Sequence, residues 1–201
     1  CLNNGQSCIA AKRFIVHDAV YDEFERLFTE QMSSKTVGDP MAETSDVGPL
    51  ASEQQRDDVE HLVADAVAKG AKALCGGAAP EGPGFYYPPT VLARITPEMR
   101  VHREEVFGPV AILYRVPDID AVIGLANGTE FGLGANAWTD DESERSRFIR
   151  DLAAGIVFIN GNVTSYPQLP FGGVKNSGHG RELSAHGIRE FCNIKSVWIG
   201  G

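Results

Sequence analysis

The chain of 201 residues is 43% hydrophobic and carries a formal net charge of −9. It is long enough to bury a sizeable core, and its acidity argues against sequence-independent nucleic-acid binding, which needs a positive stripe for phosphates. No run approaches the roughly 18 apolar residues of a membrane span, so neither a membrane nor a nucleic acid is expected as a partner. Arg13-Phe14-Ile15-Val16-His17 is short and β-prone, and Asp18 then offers an N-cap carboxylate to a helix in which Val20, Phe24, Leu27 and Phe28 recur at helical spacing. A second helix is predicted from about Ser52 to Lys69, with Val59, Leu62, Val63, Ala66 and Val67 on its apolar face and Gly70 in a left-handed C-terminal position. "AKALCGG" reads as a short strand, as does "TVLARI" after the loop "EGPGFYYPP", and "PVAILYRV" suits a strand buried on both faces. "DIDAVIGLAN" is a capped helix, "GLGANAWT" a strand, "DDESERSRFIRDLAAG" a helix with an acidic first turn and "IVFIN" a strand. The alternation predicts an α/β fold with a largely parallel sheet and flanking helices.

Four cysteines, Cys1, Cys8, Cys75 and Cys192, form no CxxC pair and lie at no zinc-ligand spacing from a histidine. Scattered thiols in a chain of this size fit a reducing, cytoplasmic compartment. Cys75 and Cys192 are expected to be small buried hydrophobes. His17, His61, His102, His179 and His186 are dispersed, and none is assigned to a metal. Three Gly- or Pro-rich stretches stand out as loops: the segment around Cys8, "HREEVFGPV", and "NGNVTSYPQLPFGGVKNSGHGRE". Taken singly each is an ordinary turn, and the last fits neither GxxxxGK[ST] nor GxGxxG. What remains open is whether Cys8, in "CLNNGQSCIAAKRFIVH", is a nucleophile or a buried thiol.

Together the three stretches carry a resemblance. "NNGQSC" resembles the active-site cysteine motif of the aldehyde dehydrogenase superfamily, "EEVFGP" its downstream Glu-x-Phe-Gly-Pro motif, and "PFGGVKNSGHGRE" its C-terminal Pro-Phe-Gly-Gly-x-Lys-x-Ser-Gly segment. They occur in the family's order and approximate separation, across essentially the whole chain. Within the family the likeness is closest to bacterial succinate-semialdehyde dehydrogenases, through "CLNNGQSCIAAKRFIVH" and "GRELSAHGIREFCNIKSVWI". The resemblance implies the catalytic-cysteine half of a longer, NADP- or NAD-dependent enzyme: residues 1–175 as the catalytic domain, and 176–201 as a C-terminal helix and tail strand of the same region. The family's dinucleotide-binding domain, with its general-base glutamate and oxyanion asparagine, would precede Cys1, so this chain by itself is expected to be inactive. "KSVWIGG" resembles the tail strand that such enzymes use in subunit contacts, which implies a homo-oligomer.

The resemblance also implies roles for single residues. Cys8 would attack the aldehyde, with its own backbone N–H directed at the developing oxyanion. A free thiol is only a few per cent thiolate at neutral pH, so the site must activate it. Gly5 would let the backbone approach the reacting group. Glu105 would accept from the nicotinamide ribose, and Phe107 would lie beside the nicotinamide. Glu104 is expected to be a solvated or structural acid. Gln55 and Lys12 are given no functional role, and the Lys12 side chain is expected to be solvated. Phe171 matches an aromatic position lining the aldehyde tunnel, and Ser165 a serine that contacts the distal carboxylate of succinate semialdehyde. Two positions depart from relatives: Leu2 stands where some carry a carboxylate-binding arginine, and Ala10 where some carry a second cysteine. Two alternatives stay open: another small aldehyde as substrate, and a folded module without catalysis of its own.

Overall fold

In the computed structural model, which describes residues Cys1–Gly201, the chain divides into two units, Cys1–Thr129 and Glu130–Gly201. In the first, a 3-10 turn (Leu2–Gly5) and the Cys8 loop lead into β1 (Arg13–His17), α1 (Asp18–Ser33), α2 (Glu53–Ala68), β2 (Lys72–Cys75), β3 (Thr90–Ala93), α3 (Arg100–Arg103), β4 (Val110–Val116) and α4 (Ile119–Asn127). The strand order is β1-β4-β3-β2. β4 runs parallel to both β1 and β3, and β2 is an antiparallel edge strand against β3.

β4 sits inside this sheet and is buried at every position except Arg115, which is why its sequence reads as an unbroken apolar run. Alternation along the strands sorts the side chains into two layers. Val110, Ile112 and Tyr114 join Ile15 and Leu92 in a cluster with Val59, Leu62, Val63 and Ala66 of α2. Leu113, Val91, Val16 and Phe14 cluster instead with Tyr21, Phe24 and Phe28 of α1. Full burial of each large aliphatic side chain stabilises the fold by about 1.5–3 kcal/mol. Helices therefore cover both faces, as the predicted α/β class requires.

Two details of α1 differ from the prediction. His17, rather than Asp18, is the N-cap, its Nδ1 accepting from the Ala19 N–H at 3.1 Å. Val20 and Leu27 are 55% and 45% exposed, so they are not on the buried face. That face is Tyr21, Phe24 and Phe28, with Phe24 and Phe28 stacked at 5.3 Å and Phe14 of β1 4.7 Å from Phe28. Tyr21 holds its place with an apolar ring against the sheet and the Arg115 guanidinium 4.2 Å from the ring centroid. α2 starts as predicted, with Ser52 Oγ accepting from the Gln55 N–H at 3.1 Å, and Gly70 takes φ +101° beyond its end. Val67 is exposed, unlike the other four apolar positions of that helix.

The second unit contains β5 (Phe131–Gly132), β6 (Gly134–Ala137), α5 (Glu142–Asp151), β7 (Ile156–Ile159), β8 (Val174–Lys175) and α6 (Ser184–Glu190). β6 and β7 are parallel, and β5 and β8 antiparallel. Asp141 caps α5 by accepting from the Glu144 N–H at 2.9 Å, and α5 packs on β7. The cysteines outside the Cys8 loop divide. Cys75 is half-buried beside the α1 layer, and burial raises its thiol pKa. Cys192 is exposed, a correction to its expected burial: it follows α6, where Ile188 and Phe191 are exposed too and no apolar layer closes over it. Residues 193–201 form no helix or strand, and Ile194, Val197, Trp198 and Ile199 are exposed.

Candidate active site

Cys8 lies in the loop that enters β1, and its thiol is free and exposed. The approach to it is conformationally unusual. Asn3, Asn4 and Gly5 take φ of 51°, 54° and 72° in succession, a left-handed run that asparagine and glycine tolerate best. Side-chain amides hold the run in place. Asn3 Nδ2 donates to the Gln6 carbonyl at 2.8 Å. Asn4 Nδ2 donates to the Pro49 carbonyl at 3.0 Å, and its Oδ1 accepts from the Gly48 N–H at 3.1 Å. Gln6 Oε1 accepts from the Ala51 N–H at 2.9 Å. The Asn-Asn-Gly-Gln run is thus strapped to residues 48–51, immediately before the cap of α2, and Cys8 follows within a turn closed by Ala10 N–H to the Ser7 carbonyl at 3.0 Å.

Because β1 and β4 are parallel neighbours, the segments entering them meet at the same end of the sheet. The second of these is the turn 104–109. Glu104 is paired with Arg100 through two bonds of 2.7 Å, and this partner holds its carboxyl below the usual range, in keeping with the structural role expected for it. Glu105 is exposed, Val106 is fully buried and anchors the turn, and Phe107 is half-buried. The Phe107 carbonyl accepts from Gln55 Nε2 at 2.9 Å, so the first turn of α2 braces it. A cleft is lined there by Gln55, Val59 and Leu62 of α2 and by Glu105 and Phe107.

Gly5 joins the two turns. A Cβ on Gly5 would stand 2.2 Å from the Gly108 carbonyl oxygen, so the close approach this glycine permits is to the neighbouring turn. Lys12 joins them a second time. Its ammonium donates to the carbonyls of Gly5 and Gly108, the latter at 3.1 Å. It also stands 5.8 Å from the Phe107 ring centroid. The expected solvated lysine is thus half-buried and bonded at both turns. Neither Lys12 nor Gln55 carried a local signal for these contacts, whose partners lie 96 and 52 residues away in sequence.

Ser165 and Phe171 belong to the second unit. Ser165 is exposed in the loop after β7. Phe171 is half-buried and pairs through its backbone with Glu182: its N–H donates at 2.8 Å and its carbonyl accepts at 2.6 Å. Gly155 allows a close backbone approach here, since a Cβ on it would lie 1.9 Å from the Gly172 oxygen. The structure therefore brings Cys8, Glu105 and Phe107 into one unit, on two touching turns, and sets Ser165 and Phe171 on the 160–172 segment of the other.

The model of the aldehyde dehydrogenase family matches residues 1–197. The chain belongs to the aldehyde dehydrogenase family. A succinate-semialdehyde dehydrogenase (NADP(+)) 1 from Mycobacterium ulcerans is 63% identical over 198 residues, covering 98% of this chain and 43% of that protein. The Mycobacterium tuberculosis protein of the same name is 60% identical over 197 residues, with the same coverages. Among solved aldehyde dehydrogenase structures, succinic semialdehyde dehydrogenase from Streptococcus pyogenes in complex with NADP+ superposes with a TM-score of 0.93 at 37% identity, over 99% of this chain and 44% of that one. Betaine aldehyde dehydrogenase from Staphylococcus aureus in complex with NAD+ gives 0.88 at 32% identity, over 94% and 38%. The chain thus spans under half the length of these aldehyde dehydrogenases, and the agreement of fold extends along it.

Proposed function

We propose that this chain supplies the nucleophile of an NADP-dependent aldehyde dehydrogenase that oxidises succinate semialdehyde. One observation carries the proposal: the turn bearing Cys8 and the turn bearing Glu105 and Phe107 touch through Gly5 and Gly108 at one end of the sheet. The names of the relatives support the choice of substrate and of NADP. The cleft beside α2 fits a nicotinamide riboside by its chemistry. Glu105 offers a carboxylate to ribose hydroxyls and Phe107 an aromatic face, with Gln55, Asp58 and His61 along the α2 side.

In this mechanism the Cys8 thiolate adds to the aldehyde carbon, forming a C–S bond and an alkoxide on the former carbonyl oxygen. The backbone N–H of Cys8 stabilises that oxyanion. A nicotinamide held by Glu105 and Phe107 would supply the hydride acceptor, so that the carbon bonded to Cys8 is left as a thioester. Water then hydrolyses the thioester, releasing the carboxylic acid and the Cys8 thiol. Glu105 would hold the ribose through its carboxylate and Phe107 would orient the nicotinamide ring with its aromatic face. Ser165 donates to the substrate's distal carboxylate, and Phe171 flanks its chain. The exposed apolar tail, Val197, Trp198 and Ile199, supports assembly into a homo-oligomer.

Two outcomes follow from these roles. Glu105→Ala should slow single-turnover hydride transfer and weaken dinucleotide binding while leaving the melting temperature unchanged, since the carboxylate is exposed. An unchanged hydride-transfer rate would remove the ribose role. Ser165→Ala should lower kcat/KM for succinate semialdehyde by roughly ten- to a hundredfold, the effect of one lost hydrogen bond to a charged group. An uncharged aldehyde of similar length should be little affected. Equal losses for both aldehydes would point to packing instead.

A further inference from the structure

We propose that Lys12 is a positioning residue that holds the Cys8 turn and the Glu105–Phe107 turn in register. The inference rests on the roles proposed for Cys8 and Glu105 and adds a third group to them. Gly5 stands three residues before Cys8, and Gly108 directly follows Phe107. One ammonium accepted by both carbonyls therefore couples the two turns through a single point. Gly5 and Gly108 are also in backbone contact, so their carbonyl dipoles crowd together, and a cation shared between them offsets that repulsion. The Phe107 ring centroid lies 5.8 Å from the same ammonium, within cation–π range.

The surroundings make this coupling sensitive to pH. Glu105 is the charged group that acts on Lys12, and it favours the ammonium. Burial opposes it more strongly and lowers the Lys12 pKa to about 8. The other charged groups nearby are engaged elsewhere or lie on the same turn. Arg13 donates to the carbonyls of Leu125 at 2.9 Å and Ala126 at 3.3 Å. Arg100 and Glu104 pair with each other. Gln55, which braces Phe107 from α2, is neutral. Below pH about 8 the ammonium bonds both carbonyls with full charge. As pH rises through that value the charge is lost and the two turns are held less firmly. Stability moves the other way. The folded pKa lies below the ordinary lysine value of 10.5, so between about 8 and 10.5 the unfolded chain binds the extra proton and stability from this group rises with pH. Hydride transfer should therefore fall on the alkaline side without unfolding.

The test is single-turnover hydride transfer by the whole protein, per titrated active site, with NADP and succinate semialdehyde from pH 6 to 10, in the wild type, Lys12→Met and Lys12→Arg. Lys12→Met should lower the rate at pH 7 by roughly ten- to a hundredfold, with dinucleotide affinity nearly unchanged. The wild-type alkaline limb near pH 8 should be absent from both variants, with Lys12→Arg, charged throughout, retaining more of the rate. A packing role would lower the active fraction without moving that limb, so its persistence in either variant overturns the proposal. If neither variant folds, competitive acetylation of the wild-type protein gives the Lys12 titration by mass spectrometry. Its midpoint should coincide with the limb, and a gap of more than about one pH unit overturns the proposal. Failure of the Cys8 assignment would show separately, as hydride transfer surviving in Cys8→Ala.

Discussion

Cys8→Ala should abolish turnover of the whole protein, lowering kcat on the order of 10⁴-fold or more, as loss of a covalent nucleophile does elsewhere. The fold should survive, because the side chain is exposed and packs in neither core layer. Cys75→Ala is the control. Cys75 is half-buried, and burial raises its pKa, so its thiolate is scarcer and harder to reach. Its replacement should leave most activity, with a small stability loss from thinned packing beside α1. Steady-state rates and thermal melts of both variants check this. Retained turnover in Cys8→Ala would end the proposed chemistry.

Gly5→Ala should cost about 3–4 kcal/mol of stability, near the upper end for a single substitution. Two penalties combine. The residue has φ +72°, which costs a side-chain-bearing residue roughly 1–2 kcal/mol. The new Cβ would also meet the Gly108 carbonyl at 2.2 Å from its oxygen and 2.7 Å from its carbon. Both obstacles are backbone, so no rotamer change relieves them, and the two turns must part. Activity should fall with stability, because the separation displaces Cys8 from Glu105 and Phe107. Urea denaturation measures the first effect and single-turnover hydride transfer the second. A midpoint equal to the wild type's would show that the turns are not in the contact described.

Much of the fold was legible because the signals were local. β4 declared itself by continuous apolarity, as a strand covered on both faces does. Ser52, Asp118 and Asp141 are caps that the residues after them announce. The misread face of α1 has a plain cause: helical spacing marks a stripe but not which flank of it turns inward. Tyr21 won the buried position over Val20 and Leu27 because Phe14 and Arg115, on neighbouring strands, complete its surroundings. α3, of four residues, and β5 and β8, of two residues each, are too short to show a period.

For the candidate site, the motifs named Cys8, Glu105 and Phe107 but not what holds them. The straps from Asn4 and Gln6 reach residues 48–51. The bond from Lys12 to Gly108 exists only because β1 lies beside β4, a pairing that no spacing in the sequence discloses. Lys12 therefore reads as an ordinary charge on a loop until the sheet order is known.

The most direct test of the central claim is to trap the acyl-enzyme. The whole protein is mixed with succinate semialdehyde and NADP, quenched in acid within the first turnover, digested and analysed by mass spectrometry. The peptide carrying Cys8 should gain the mass of a succinyl thioester at Cys8, in step with the NADPH formed, while Cys75 and Cys192 stay unmodified. NADPH formation with Cys8 unmodified at every quench time, or an acyl group on another residue instead, would contradict the account.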